Sequence, residues 1–285
     1  SLYKKLNRLP TFIELYDLCQ SNSEHSRHWF FKGNLYINNK LAECSLFSLI
    51  KSTLNNDTNS NSLISFSDNS SVIRGFNTNI LITNRENYLS LIKNEHLDLV
   101  LTAETHNFPT LISPFEGAST GVGGRIRDNQ ATGRGAYIYS SICGYNVGKI
   151  DINNDNLDIN NNKSNFKSPI DILINASNGA SDYGNKFGEP IIAGFTRSFG
   201  DIVDNSHYEW IKPVLFSAGI GAINRKHLYK RLPNEDMLII RLGGPAYKIG
   251  LGGGFSSSNI QNSNNLVHDF NAVQRGDPQM ENKLN

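Results

Sequence analysis

Glu104-Thr-His-Asn-Phe-Pro-Thr-Leu-Ile-Ser-Pro-Phe-Glu-Gly-Ala-Ser-Thr-Gly-Val-Gly-Gly-Arg-Ile-Arg-Asp128 decides how this chain is read, because it puts an acid and a histidine at a strand end, then a glycine-rich segment, then Arg-Asp. Just upstream, Leu97, Leu99, Leu101 and Ala103 alternate with Asp98, Val100, Thr102 and Glu104. That period of two marks a strand, and its more apolar set is expected to face the core. Glu104 and His106 then share the other face, one suited to holding a divalent cation and the other to accepting a proton. Pro109 and Pro114 bracket the next turn, so the strand ladder ends there.

From Gly117, the residues Gly117, Ala118, Gly121, Gly124 and Asp128 fall at helical spacing, a small-residue stripe against which other backbone can come close. A helix beginning there would offer unpaired N–H groups and the positive end of its dipole to an anion such as a nucleotide phosphate, with Ser119 and Thr120 adding hydroxyl donors. Arg127 can clamp an anionic oxygen bidentately while Asp128 holds a metal ion. Together these are the parts of a phosphoryl-transfer site. Spacing alone leaves a second reading open, in which the glycines form a flexible surface loop and His106 is an ordinary turn residue. No Gly-Lys-Ser/Thr comes after them, so the segment is not a P-loop.

Working outward, Thr11-Phe-Ile-Glu14 is a capping-box signature, and Phe12, Leu15, Tyr16 and Cys19 continue at helical spacing toward Ser23. A longer helix would put His25 and His28 three apart on one face, a spacing open to a metal pair or to a purely structural one. Leu46, Leu49 and Ile50 suggest a short helix before a polar loop at 55–62. Residues 136–147 read as a strand of the same sheet, 151–165 as an Asn- and Asp-dominated surface insertion, 170–174 as β-like, and 212–223 as a buried strand. A turn at 233–236 leads into the apolar run 237–242, expected to be the first strand of a second domain. The glycines of 250–254 offer either a second nest of N–H groups or close strand–helix packing. Asp269 and Asp277 read as a cap and a turn residue.

At 285 residues the chain can build one large or two modest domains. Its 27 basic and 26 acidic residues nearly cancel, without a sustained basic run, which argues against a nucleic-acid surface. No apolar stretch approaches the roughly 20 residues of a membrane span, and no signal-peptide pattern opens the chain. Cys19, Cys44 and Cys143 are an odd number without CxxC spacing, expected to be reduced and mostly buried thiols in the cytoplasm. None sits in a nucleophile turn, so no catalytic cysteine nucleophile is expected among them.

Several separated segments resemble the synthetase portion of the phosphoribosylformylglycinamidine synthase family in its eukaryotic-like large form. Gln20-Ser-Asn-Ser-Glu-His-Ser-Arg-His-Trp-Phe-Phe-Lys-Gly33 is similar to the family's Ser-Glu-His motif, and Ser67-Asp-Asn-Ser-Ser71 to its Asp-Asn loop. Residues 104–135 carry the central block. Ser181-Asp-Tyr-Gly-Asn-Lys-Phe-Gly-Glu-Pro190 is a fourth match, and Gly243-Gly-Pro-Ala, Gly250-Leu-Gly-Gly-Gly254 and Val273-Gln-Arg-Gly-Asp-Pro278 make a fifth. They keep the family's order over nearly the whole chain.

The resemblance implies ATP- and Mg2+-dependent amidation of formylglycinamide ribonucleotide through an iminophosphate, with ammonia from a glutaminase domain outside this chain. It implies a catalytic role for His106 and His25, metal binding by Glu104 and Asp128, and substrate binding by Thr105, Asn107 and Arg127. ATP binding is implied for Gly117, Ala118, Ser119, Thr120, Gly121, Val122, Gly123, Gly124, Arg125, Ile126, Arg127 and Asp128. The implied fold is α+β. An aminoimidazole-ribonucleotide-synthetase-like N-terminal domain, 21–228, has a mixed sheet that pairs with a like sheet into a barrel. It comes after the end of a helical linker region, 1–20, and precedes the start of an α/β C-terminal domain, 229–285, so the chain reads as a fragment of a longer enzyme. Phe108 stands where bacterial forms carry a second histidine, and Thr102 where they carry a lysine thought to meet ATP; both departures are shared with eukaryotic-like versions. Two alternatives are another ATP-binding synthetase of the same superfamily and a non-catalytic scaffold, against which the joint presence of Glu104, His106, Arg127 and Asp128 argues.

Overall fold

A computed structural model describes residues 2–285 apart from 24, 26, 27, 55–60, 85, 151–165, 246, 248 and 261–264. The Asn-rich insertion, most of the 55–62 loop and three residues of the Ser-Glu-His motif therefore lie outside the described residues.

The framework is a six-stranded sheet. Its strands are β1 (Ser62–Ile64), β2 (Ser71–Thr83), β3 (Ser90–Thr105), β4 (Tyr137–Val147), β5 (Ile191–Ser198) and β6 (Val214–Asn224), in the spatial order β1-β2-β3-β6-β4-β5. All neighbours are antiparallel except β4 and β5. A parallel pair needs a crossover, and helix α4 (Pro169–Phe187) supplies it. Helices α1 (Phe12–Ser21), α2 (Asn107–Ile112) and α3 (Pro114–Ala131) precede it, and α5 (Gly253–Ser257), α6 (Leu266–Ala272) and α7 (Pro278–Leu284) close the chain.

Helices α3 and α4 cover one face of the sheet. Ala118, Val122 and Ile126 of α3 pack with Ala176, Ala180, Tyr183 and Phe187 of α4 over Cys143 and Leu215 of the strands. Helix α3 contains Gly117, Gly121, Gly123 and Gly124, each less favourable in a helix than alanine by about 1 kcal/mol. Full burial of Val122 and Ile126, at roughly 1.5–3 kcal/mol each, offsets much of that cost, so tertiary packing rather than propensity holds this helix.

The covered face of β3 is the one carrying Val100, Thr102 and Glu104, opposite to expectation. Val100 and Thr102 are buried, whereas Leu99 is 40 % and Leu101 52 % exposed. Alternation fixes that two faces exist; it does not say which one the helices choose. Leu101 and Ala103, with Ile220 and Ala218 opposite them in register on β6, line with Leu99 a face that no described helix covers.

Four further expectations change. Residues 170–174 are helical: Ser168 accepts from the Asp171 N–H, Pro169 takes the first helical position, and Ile172, Ala176 and Ala180 continue the buried stripe at helical spacing. Residues 237–242 form no strand; Ile239 is fully exposed, and no described strand lies beside them to complete a ladder. The capping box of α1 forms in both directions, yet α1 stops at Ser21, and His28 has a left-handed φ of 52°. His25 and His28 therefore do not share a helix face. Cys19 and Cys44 are exposed; only Cys143 is buried. The expected helix at 46–50, strand at 136–147 and buried strand at 212–223 are present as Leu46–Ser52, β4 and β6.

Candidate active site

Strand β3 ends at Thr105, where backbone and side chain together turn the chain into α2. The His106 N–H donates to the Leu215 carbonyl at 2.9 Å, and the Leu215 N–H donates to Asn107 Oδ1 at 3.1 Å. This double tie to β6 holds His106 at the junction of β3, β6 and α3. Its Nδ1 lies 2.6 Å from the Gly117 carbonyl. A carbonyl can only accept, so Nδ1 carries the proton and Nε2 keeps its lone pair. Burial pushes the His106 pKa below its ordinary value, and the charges of Arg127 and His25 act in the same direction against the Gly117 hydrogen bond. The ring is thus neutral near pH 7, with a free basic nitrogen.

The glycine stripe makes room for these side chains. A Cβ on Gly121 would come within 2.9 Å of the His106 Cβ and 2.8 Å of Leu215 Cδ2, and one on Gly124 within 3.3 Å of Glu104 Oε2. Glu104 lies against Gly124. Its Oε2 is buried without a hydrogen-bond partner. Burial first, then the nearby Asp128 charge, pushes its pKa up to about 7, while Arg127 and Arg125 pull it down. Asp128, one turn beyond Gly124, accepts from Asn69 Nδ2 at 3.2 Å. The Asp-Asn loop is fastened beside it: Asp68 accepts from the Gly133 N–H at 3.1 Å and pairs with Lys230.

The segment 117–128 is a helix interior rather than a phosphate-binding helix N-terminus. The helix begins at Pro114, and the Gly117 N–H already donates to the Ser113 carbonyl at 2.7 Å. Its unpaired amides therefore lie ahead of Gly117, and those of 117–124 are bonded within α3. Ser119 and Thr120 are buried, and Thr120 Oγ1 donates to the Gln274 carbonyl at 2.9 Å. Ala118, Val122 and Ile126 belong to the core, and Gly123 abuts Tyr183. Arg125 is fully buried in a bidentate ion pair with Glu189 and cannot reach a ligand. What this segment presents outward is Gly124, Arg127 and Asp128.

Of the other expected residues, His25 is exposed, 3.4 Å from Ser23 Oγ through Nδ1, and close enough for its charge to bear on His106. Thr105 belongs to the face of β3 opposite Glu104. Asn107 has its Oδ1 committed to the Leu215 N–H. Sequence reasoning assigned no role to Asn69, Tyr183, Glu189 or Glu281, although the first three lie inside matched motifs. Among the described residues no group of three or more His, Cys, Asp or Glu stands ready for a metal. Glu104 and Asp128 are two. Two carboxylates suit Mg2+, which keeps waters and takes nucleotide oxygens for its remaining positions.

No protein-family model matches the chain. Over 286 residues, 98 % of the chain, it is 50 % identical to the probable phosphoribosylformylglycinamidine synthase, chloroplastic/mitochondrial, of Arabidopsis thaliana. Along nearly its whole length the chain is similar to phosphoribosylformylglycinamidine synthases. It is also 50 % identical to the synthase of Dictyostelium discoideum over 292 residues and 47 % identical to that of Homo sapiens over 291, each match covering 99 % of the chain. The chain spans about a fifth of the length of these synthases, 20–22 %. Among solved structures, T. maritima PurL complexed with FGAR is similar over 99 % of this chain and 35 % of that one, with a TM-score of 0.55 at 21 % identity. That likeness shows the fold, an α+β arrangement around a mixed sheet.

Proposed function

We propose that this chain supplies part of the active site of an enzyme that amidates formylglycinamide ribonucleotide, using ATP and ammonia released from glutamine by a glutaminase domain outside the chain. ATP phosphorylates the amide oxygen, ammonia attacks the iminophosphate carbon, and phosphate and a proton leave. The observation that carries the reading is the convergence of His106, Glu104, Asp128 and Arg127 where β3 and β6 meet α3, in a chain half identical to synthases of this name.

His106 Nε2 takes the proton from the attacking ammonia, a role worth roughly 100- to 10,000-fold. His25 stands close by as a second imidazole. Arg127 and Asp128, beside the open surface at Gly124, face the triphosphate and the substrate. A partnerless, desolvated Glu104 next to Asp128 is a pair that a divalent cation would stabilise, so these two residues would hold Mg2+, which when bound neutralises nucleotide oxygens. Because Arg125 is committed to Glu189, nucleotide contacts are assigned to the outward positions of 117–128 alone.

The uncovered face of Leu99, Leu101 and Ile220 supports pairing with a like sheet into a barrel. Residues 21–228 are proposed as the N-terminal domain and 229–285 as the start of the next. No described helix is long and apolar enough to cross a membrane. The cytoplasm is proposed as the site of the reaction from the three free thiols. The test is ADP release by the full-length protein with ammonium salt as nitrogen donor. Stimulation by formylglycinamide ribonucleotide is expected, and its absence rejects the proposal.

A further inference from the structure

Arg127 is half-exposed, and its carboxylate partner is drawn from the far end of the chain. Nη1 lies 3.4 Å from Glu281 Oε2 on α7. The two sides of this pair differ: the Arg127 side chain is 46 % exposed and that of Glu281 12 %. Glu281 Oε2 also accepts the hydroxyl of Tyr183 on α4, a fully buried residue packed under Gly123 and Gly276. Oε1 is buried without a partner. The pair thus joins three separated stretches of sequence, the 104–135 block, the 181–190 block and the helix that Pro278 opens.

An ion pair serving stability alone gains little when its cation stays wet, roughly 0–1 kcal/mol, while a buried carboxylate pays for its desolvation. Docking of α7 does not depend on it. Asn282 Nδ2 donates to the Phe187 carbonyl at 2.5 Å, Gln130 Nε2 donates to Asn285 Oδ1 at 3.2 Å, and Asp277 caps the helix at 3.0 Å from the Met280 N–H. What the arrangement does fix is a plane. The guanidinium is a rigid fork of five N–H donors; Nη1 is turned to Glu281, and Nη2 points toward Gly124, 3.6 Å from where a Cβ there would stand, beside Glu104.

We propose that Glu281, itself held by Tyr183, is a positioning residue that aims the free edge of Arg127 at an anionic oxygen of the ribonucleotide substrate in the opening beside Gly124. This rests on the proposed function and assigns it an orienting group outside the 104–128 stretch. Glu281→Gln keeps the shape and the acceptor for Tyr183 and removes the charge that orients the guanidinium.

The experiment is calorimetric titration of the full-length protein with formylglycinamide ribonucleotide, alongside steady-state kinetics. Glu281→Gln is expected to raise Kd and KM for that substrate by about tenfold or more, a loss of about 1.4 kcal/mol or more, with kcat held within about threefold. The KM for ATP and the melting temperature stay as in the parent. Tyr183→Phe moves Kd in the same direction by less, and Glu281→Asp recovers part of the loss. Unchanged Kd and KM overturn the proposal. So does a fall in kcat and melting temperature at constant KM, which marks a merely structural contact. If the parent itself does not bind the ribonucleotide, the functional reading fails first and takes this inference with it.

Discussion

Glu104→Gln should separate stability from function in a pH-dependent way. In the folded chain Glu104 has its pKa displaced from an ordinary 4.5 to about 7, with burial the leading cause and Asp128 the second. At 1.36 kcal/mol for each tenfold change in acidity, keeping it ionised costs the fold about 3 kcal/mol. The sign comes from proton counting. Between pH 4.5 and 7 the folded state binds more protons than the unfolded state, so stability falls as pH rises through that window and stays low above it. The penalty is absent below 4.5. Glutamine carries no such penalty. In divalent-free buffer, the unfolding free energy of the variant relative to the parent should therefore rise by about 3 kcal/mol from about pH 4.5 to about pH 8, while activity is lost. Urea unfolding at a series of pH values reads this directly. A difference that stays flat across the range would show Glu104 to be an ordinary, solvated carboxylate and remove the main physical reason for assigning it a cation.

His106→Ala should lower ammonia-dependent turnover by about 100-fold or more while leaving nucleotide affinity near that of the parent; equal loss of ATP binding, seen by calorimetry, would reassign the residue. Because burial holds the His106 pKa below 6.5, the acid limb of kcat/KM should begin below that value, and a limb centred above it would contradict the neutral ring inferred here. Gly121→Ala, whose Cβ would press on His106 and Leu215, should cost about 1–3 kcal/mol in stability and reduce kcat more than the KM for ATP; a variant as active as the parent would show that the stripe is not what seats the histidine. Arg125→Ala should destabilise by about 3–5 kcal/mol by stranding Glu189, unlike Arg127→Ala, whose loss falls on substrate binding; similar unfolding curves for the two would refute the division.

Local patterns were the most legible part of the sequence. The capping box of α1, strand β4 and the buried central strand β6 can be read from periodicity and end signals that act within a few residues. The small-residue stripe of α3 was also visible, since spacing alone puts Gly121, Gly124 and Asp128 on one side. Its start was not. Pro114 opens the helix three residues before Gly117, which turns the expected phosphate-binding helix N-terminus into a helix interior and buries Ser119 and Thr120. Residues 170–174 misled because a run of four isoleucine and leucine positions around Asp171 resembles a strand until the stripe is followed to Phe187. Long-range partnerships were out of reach in principle. Nothing near Arg125 announces Glu189, and nothing near Arg127 announces Glu281, because each pair is closed by tertiary packing across 64 or 154 residues. The face of β3 chosen by the helices was hidden for the same reason, as both of its faces hold apolar side chains.

The most direct measurement is anomalous scattering from Mn2+ in crystals of the full-length protein grown with ATP. A manganese peak is expected within coordination distance of a carboxylate oxygen of Glu104 and one of Asp128, beside His106, and its loss is expected in Glu104→Gln. A peak held by other residues, or one that persists unchanged in that variant, would contradict the central claim.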